Sequence, residues 1–176
     1  MLADLRRGLV VSAVFFVLLG LAYPFAETGI GQAFFARQAN GSLTAHGSLL
    51  VGQSWTGARW FHGRPDADNP MATGGTNLGP RSKALVKATA QQIAALRKEG
   101  ITPTPDLVTT SGSGVDPGIS PAGAYAQVSA VARARGLPVA AVRRLVAEHI
   151  LHPQFGFLGS AYINVLQLNE ALAGMR

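Results

Sequence analysis

The sequence predicts a small α+β domain carried on one membrane-crossing helix. Three observations predict it: a charge-free apolar run near the N-terminus, helical apolar spacing between Gly and Pro stops in the body, and short β-branched runs without βαβ spacing. The chain has 176 residues, 48% of them hydrophobic and only 14% charged. That balance excludes a disordered chain, which is poor in apolar residues and rich in charge. With no Cys, a disulfide scaffold, a Cys-ligated zinc site and a thiol nucleophile are excluded too.

The apolar excess lies at the N-terminus. Gly8 to Ala26 carries no charge. As a helix its 19 residues would span about 28 Å, close to the roughly 30 Å of a hydrocarbon core. Arg6 and Arg7 precede the run and Glu27 follows it. Basic residues on the N-terminal side predict that end in the cytoplasm. The expected organisation is a cytoplasmic N-terminus over residues 1–7, a transmembrane helix over 8–26, and one extracytoplasmic α+β domain over 27–176. A cleaved signal peptide would have a shorter apolar core ending in small residues. Here the run is longer and ends in Ala22-Tyr23-Pro24-Phe25-Ala26, a poor cleavage site, with Pro24 expected in the last turn.

Beyond the anchor, Thr28 to Gln38 continues as helix until Asn40-Gly41, a strong turn signal. Ser42 to Gln53 reads as two short strands turning near His46-Gly47, and Trp60-Phe61 as a further extended piece. Asp66 to Gly79 is rich in Gly, Asn, Asp and Pro and reads as loop. Pro80 to Glu99 reads as a helix with Pro80 in its first turn and a stripe of Leu85, Ala88, Ile93 and Leu96. Leu107 to Thr110 is β-branched and strand-like, and Ser111 to Gly118 is loop. Ser120-Pro121 supplies an N-cap and first helical residue for a helix to about Arg135. Pro138 opens another helix to about His149. Tyr162 to Val165 is a strand, and Leu166 to Ala173 a last short helix.

Few residues suggest chemistry. Ser111-Gly112-Ser113-Gly114, with Asp116 close by, is a loop whose backbone N–H groups can form an anion nest; the alternative is a tight connection with Asp116 bonding local backbone. It lacks Walker spacing and the nucleophile-elbow pattern. Gly74 to Pro80 is a second Gly-rich loop opening a helix, where an anion can also sit. His149 and His152 beside Glu148 have the wrong order for a metalloprotease helix, and no metal site is expected. A Ser113, Asp116, His149 hydrolase triad can be assembled on paper. Residues 27–176 carry 13 basic and 8 acidic side chains. Arg133, Arg135, Arg143 and Arg144 flank Gly136-Leu137-Pro138, a helix break, and read as solvated helix faces or, alternatively, as a contact with acidic lipid or an acidic partner. Nucleic acid is not an expected partner of a domain held outside the membrane. A membrane-anchored anion-binding module or hydrolase is one reading left open by the residues.

The ordered pieces carry a resemblance. They are Tyr23-Pro24 after the anchor, Gln38-Ala39-Asn40-Gly41-Ser42-Leu43, Gly47 to Gln53, Trp60-Phe61-His62-Gly63-Arg64-Pro65, Gly74 to Leu78, Asp106 to Pro117, Ile119-Ser120-Pro121, Asn164-Val165-Leu166 and Leu168-Asn169. In this order and spacing they resemble the C subunit of the Kdp-type potassium-transporting ATPase over almost the whole chain. Ser160-Ala161-Tyr162 departs from the Glu/Gln-Pro-x run usual there, and Gly118 stands where a larger polar residue is common.

The resemblance implies a noncatalytic accessory subunit of an ATP-driven potassium importer in the bacterial inner membrane. Its implied partners are a channel-like potassium-selecting subunit, a P-type ATPase subunit and a very small membrane subunit, besides the bilayer itself. It implies a role in assembly and as a catalytic chaperone raising the ATPase subunit's affinity for ATP. The chain would have no cofactor of its own; ATP would belong to the ATPase subunit, and potassium would be the transported ion. The glutamine proposed in the family to touch the nucleotide corresponds best to Gln127. That contact conflicts with the topology read from Arg6 and Arg7, since ATP is cytoplasmic, so any effect on ATP would be long-range. An outer domain over the potassium-selecting subunit would let Asp66, Asp68 and Asp116 raise the local cation concentration, a local effect given the net +5 of residues 27–176.

Overall fold

The computed structural model describes residues 1–66 and 73–175. The chain divides into two compact units, Met1–Leu43 and Thr44–Arg176.

The first unit is helical because nothing in it favours anything else. One helix with a long apolar, unburied stretch runs over Leu2–Phe34, about 50 Å at the usual rise. It begins as α1 (Leu2–Phe15), continues as a π-helical segment (Phe16–Ala22) and ends as α2 (Tyr23–Phe34). Pro24 therefore lies inside the helix rather than in its last turn. A proline ring crowds the carbonyl four residues back and removes a hydrogen bond. The preceding π segment widens the turn at that point, and the Tyr23 N–H bonds the Leu18 carbonyl five residues back. The short helix α3 (Ala36–Ala39) follows, and Asn40-Gly41 ends it. The Asn40 amide bonds the Ala36 carbonyl at 2.6 Å and Gln32 Oε1 at 3.0 Å.

The second unit holds five helices among its described residues: α4 (Lys83–Lys98), α5 (Pro105–Val108), α6 (Pro121–Arg135), α7 (Val139–Glu148) and α8 (Val165–Ala173). Two short strands, β1 (Gly118–Ile119) and β2 (Ile163–Asn164), pair antiparallel with Gly118 opposite Asn164 and Ile119 opposite Ile163. This is an α+β arrangement with a minimal sheet, as expected.

Helix α6 is central. Ser120 caps it by accepting the Gly123 N–H at 3.0 Å, Pro121 fills the first turn, and Gly136 ends it at φ 68°. Its small residues Ala124, Ala130 and Ala132 are buried with Val128 and Val131, so neighbouring elements approach closely. Helix α7 offers Val142 and Val146, one turn apart, and α8 offers Leu168 and Leu172. Phe61, Leu107, Ile119 and Ile163 complete this core.

Several elements differ from expectation. The strand pair expected over Ser42 to Gln53 shrinks to single bridge residues, Leu43 and Ser48, on either side of the turn at His46-Gly47; the Thr44 hydroxyl reaches the Gly47 carbonyl and the Leu50 N–H bonds Ser48 Oγ. These local bonds compete with any ladder. Leu107 and Val108 lie in the short helix α5, started by Pro105 in its first turn, instead of a strand. Helix α4 starts at Lys83 with Ser82 as N-cap, three residues after Pro80.

Candidate functional site

The loop Thr109–Pro117 is where the polar residues singled out in the sequence converge. It closes around an anion, and that anion is the Asp66 carboxylate. Asp66 Oδ1 accepts the Ser111 N–H at 2.6 Å; Oδ2 accepts the Ser111 hydroxyl at 2.6 Å and the Asp116 N–H at 3.0 Å. The Ser111 hydroxyl also accepts the Gly114 N–H at 2.9 Å and lies 3.2 Å from Ser113 Oγ, which accepts the Val115 N–H. Asp116 Oδ1 takes the Gly118 N–H at 2.8 Å. The nest expected over Ser111, Gly112, Ser113 and Gly114 is thus filled from within the chain.

The two Gly-rich loops foreseen separately meet here. The Gly74 N–H bonds the Ser113 carbonyl at 2.6 Å. Gly114 has φ 72°, and a Cβ there would stand 2.5 Å from the Gly74 carbonyl oxygen. A side chain is excluded both by backbone conformation and by space. The second loop therefore braces the first and does not open a helix.

Arg64 stitches the other side. Its Nη2 donates to the Thr110 carbonyl at 3.0 Å and Thr109 Oγ1 at 3.3 Å, and its Nη1 lies 4.0 Å from Asp116 Oδ2. Asp66 and Asp116 are both engaged, so the structure gives neither as a free surface carboxylate. Asp68 lies outside the described residues.

Gln127 occupies a different place from a ligand contact. It is wholly buried in α6. Its Oε1 accepts the His62 N–H at 2.7 Å, and its Nε2 donates to the His62 carbonyl at 3.1 Å and the Gly123 carbonyl at 3.2 Å. Asn169 of α8, equally buried, does the same for the preceding residue: Oδ1 accepts the Phe61 N–H and Nδ2 donates to the Phe61 carbonyl, both at 2.9 Å. The extended piece expected at Trp60–Phe61 forms no strand: the Trp60 N–H closes a turn on the Gly57 carbonyl, and the backbone groups of Phe61 and His62 pair with two side-chain amides. This satisfies buried peptide groups that would otherwise cost free energy. Sequence reasoning missed Asn169 as a partner because the two residues are 108 positions apart.

Asp106 was also missed. It accepts the Thr104 hydroxyl at 2.6 Å and the Ser120 N–H at 2.7 Å, at the start of α6. Burial is the largest influence and pushes its pKa up, but the bonds from Thr104 and Ser120 together outweigh it and hold the carboxyl below its ordinary range. Gly123 makes this approach possible, since a Cβ there would lie 2.6 Å from Asp106 Oδ2. The signal in the sequence was Asp106 in the run continuous with Ser111–Pro117.

Beside these clamps a cavity of about 480 Å³ is lined by Trp55, His62, Arg64, Glu99 and Asp116 among others. Three of the four arginines flanking Gly136 have partners: Arg135 lies 5.1 Å over the Trp60 ring, Arg143 4.8 Å over Tyr125, and Arg144 3.7 Å from Glu148. His149 Nδ1 faces the Leu145 carbonyl at 2.8 Å. Among the described residues no hydrogen bond joins it to Ser113 or Asp116, so the paper triad is not assembled.

Known proteins place this architecture. Residues 5–174 match the family model described as K+-transporting ATPase, c chain. The chain is 50% identical to the potassium-transporting ATPase KdpC subunit of Sorangium cellulosum, with 100% of each chain covered. It is 46% identical to the subunit of the same name from Nitratidesulfovibrio vulgaris, covering 100% of this chain and 98% of that one. For Acidobacterium capsulatum the identity is 45%, over 97% and 98%. The chain therefore belongs to the KdpC family of K+-transporting ATPase c chains.

Proposed function

We propose that this chain is a noncatalytic accessory subunit of an ATP-driven potassium importer, anchored by its one apolar helix and working through contacts with the other subunits. The full-length family match carries this reading. The internal use of Ser111, Asp66, Asp116 and Gln127 supports it, because these side chains hold the fold together. The expected partners are a potassium-selecting subunit, a P-type ATPase subunit and a small membrane subunit.

Arg6 and Arg7 stand before the apolar run. By the positive-inside rule they orient the N-terminus to the cytoplasm and the second unit to the outside of the inner membrane. ATP stays with the ATPase subunit in this arrangement. A chaperone effect on ATP affinity would be long-range, a coupling through the assembled complex. Gln127 serves as a clamp on His62, and a nucleotide would meet its amide only after displacing that segment. Asp66 and Asp116 shape a loop in preference to steering cations.

The test has two arms. A C-terminal tag on the chain in intact spheroplasts is expected to be removed by added protease. The tagged chain is expected to co-purify with larger membrane proteins that hydrolyse ATP, and to hydrolyse none alone. A protected tag overturns the orientation; solitary purification or turnover by the isolated chain overturns the subunit reading.

A further inference from the structure

The second unit carries a hairpin that neither the fold nor the clamps explain. Leu151 and Tyr162 exchange both backbone hydrogen bonds, at 2.8 and 3.0 Å. Nearer the tip Gln154 and Leu158 do so at 3.0 and 2.9 Å, while the Gly156 and Phe157 N–H groups bond the Pro153 and Gln154 carbonyls. Four N–H groups of the tip, those of Gln154, Gly156, Phe157 and Leu158, are thus tied to carbonyls of the tip itself. Its side chains are not: Phe155 is 86% exposed, Phe157 75% and Leu158 50%, flanked by half-exposed Tyr162 and Leu151. Phe155 also holds φ 53°, a left-handed conformation that a bulky residue seldom adopts. Two phenylalanines held in water on a rigid support gain nothing for the fold.

We propose that this hairpin is a docking element that seats Phe155 and Phe157 in an apolar pocket on another subunit of the transporter. The proposal rests on the reading of the chain as such a subunit. Three arguments select a protein occupant. The first is area: the five apolar side chains expose on the order of 500 Å², within reach of the roughly 800 Å² per partner of a standard interface. The second is preorganisation. A tip fixed by its own hydrogen bonds loses little conformational entropy on docking, and buried aromatic anchors supply much of an interface's energy. The third is charge. From Leu145 to Met175 the sequence contains no Lys or Arg, although the chain as a whole is +6. An element made for an anionic lipid surface would carry such residues, each contributing about 1 kcal/mol; an apolar pocket does not call for them.

A photo-crosslinking residue placed at Phe155 or Phe157 of the full chain, in membranes holding the complete transporter, tests this. The expected result is a covalent adduct with a different, larger subunit. Adducts with lipid alone, with a second copy alone, or no adduct while the unsubstituted chain co-purifies, each overturn the proposal. A second measurement combines Phe155→Ser with Phe157→Ser. Co-purification is expected to fall roughly tenfold or more, as for truncated hot-spot aromatics, with thermal unfolding unchanged. Undiminished co-purification refutes the hairpin's role alone. An unsubstituted chain that purifies without partners refutes instead the subunit reading beneath it.

Discussion

Two Gly-rich segments of the second unit make opposite uses of polarity. The loop Thr109–Pro117 is polar in sequence, yet its hydroxyls, N–H groups and neighbouring carboxylates face one another. The hairpin Leu151–Tyr162 is apolar in sequence, yet its largest side chains face water. Polar residues turned inward indicate a structural task, because the Ser111, Gly114, Asp116 and Gly118 donors already have acceptors within the chain. Apolar residues turned outward on a rigid turn indicate a task outside the chain, because exposure costs free energy and the fold gains nothing from it. Of the two readings open for the polar loop, the bonds support the tight connection in which Asp116 holds local backbone.

The largest effects should come from the inward-facing clamps. Gln127→Ala leaves the His62 N–H and carbonyl unpaired and opens a cavity beneath α6. The expected cost is about 3 kcal/mol, combining lost buried hydrogen bonds with void formation. Chemical denaturation of the detergent-solubilised chain measures it. Asn169→Ala should cost a similar amount, and the double variant should fall short of the sum, because both hold the same extended segment. A strictly additive result would break the picture of a shared clamp.

Asp66→Ala comes next. It removes the acceptor for three donors of the polar loop. Bonds to a charged acceptor contribute more than neutral ones, but Asp66 is only partly buried, so about 2 kcal/mol is expected. Asp66→Asn keeps the shape and one acceptor and should cost about half as much. If the loop were instead a site for an external anion, Asp66→Ala would free its N–H groups and added phosphate would restore the lost stability. No such rescue is expected.

How much of this was legible follows from how local each signal is. The anchor was legible from an uninterrupted apolar run, and α6 from Ser120, Pro121 and Gly136 at its two ends. Helix α7 was legible from Pro138 at its start. The stretch Ser42–Gln53 was legible as a turn at His46-Gly47, but its strands shrink to the single bridge residues Leu43 and Ser48. β-propensity there yields to side chain–backbone bonds from Thr44 and Ser48, which alternation does not reveal. The helix α5 was obscured because Val108, Thr109 and Thr110 are β-branched while Pro105 dictates a helical start. The clamp of Gln127 and Asn169 was beyond sequence reasoning, since each amide finds its partner far along the chain. The nest was legible as a nest; its occupant, Asp66, was legible only as a carboxylate without a place.

A pH series sharpens the inward-facing half of the comparison with a smaller effect. Asp106 has a pKa below its ordinary value of 3.8, set by the Thr104 and Ser120 bonds against the upward push of burial. A depressed carboxyl favours the folded state most when ionised. Its contribution is fully present above about pH 4 and is lost as pH falls through the lower folded-state value. Wild type should therefore lose stability on acidification below pH 4 more steeply than Asp106→Asn. Parallel curves for the two proteins would remove Asp106 from the capping network.

The smallest effect on stability should come from the residues with the largest consequence for association. Phe155 and Phe157 leave their bulk in water, and the hairpin is held by backbone bonds that do not involve their rings. Replacing both by Ser should change the unfolding free energy by no more than about 0.5 kcal/mol, the range of surface substitutions away from special features. Relief of exposed apolar area favours the variant, while Ser at the positive φ of position 155 is no better placed than Phe, so the two influences are small and oppose each other. A loss of 2 kcal/mol or more would show that the rings support the fold after all. The outward-facing half of the comparison would then collapse into the inward-facing one, because an aromatic that stabilises the isolated chain gives no reason to expect a partner.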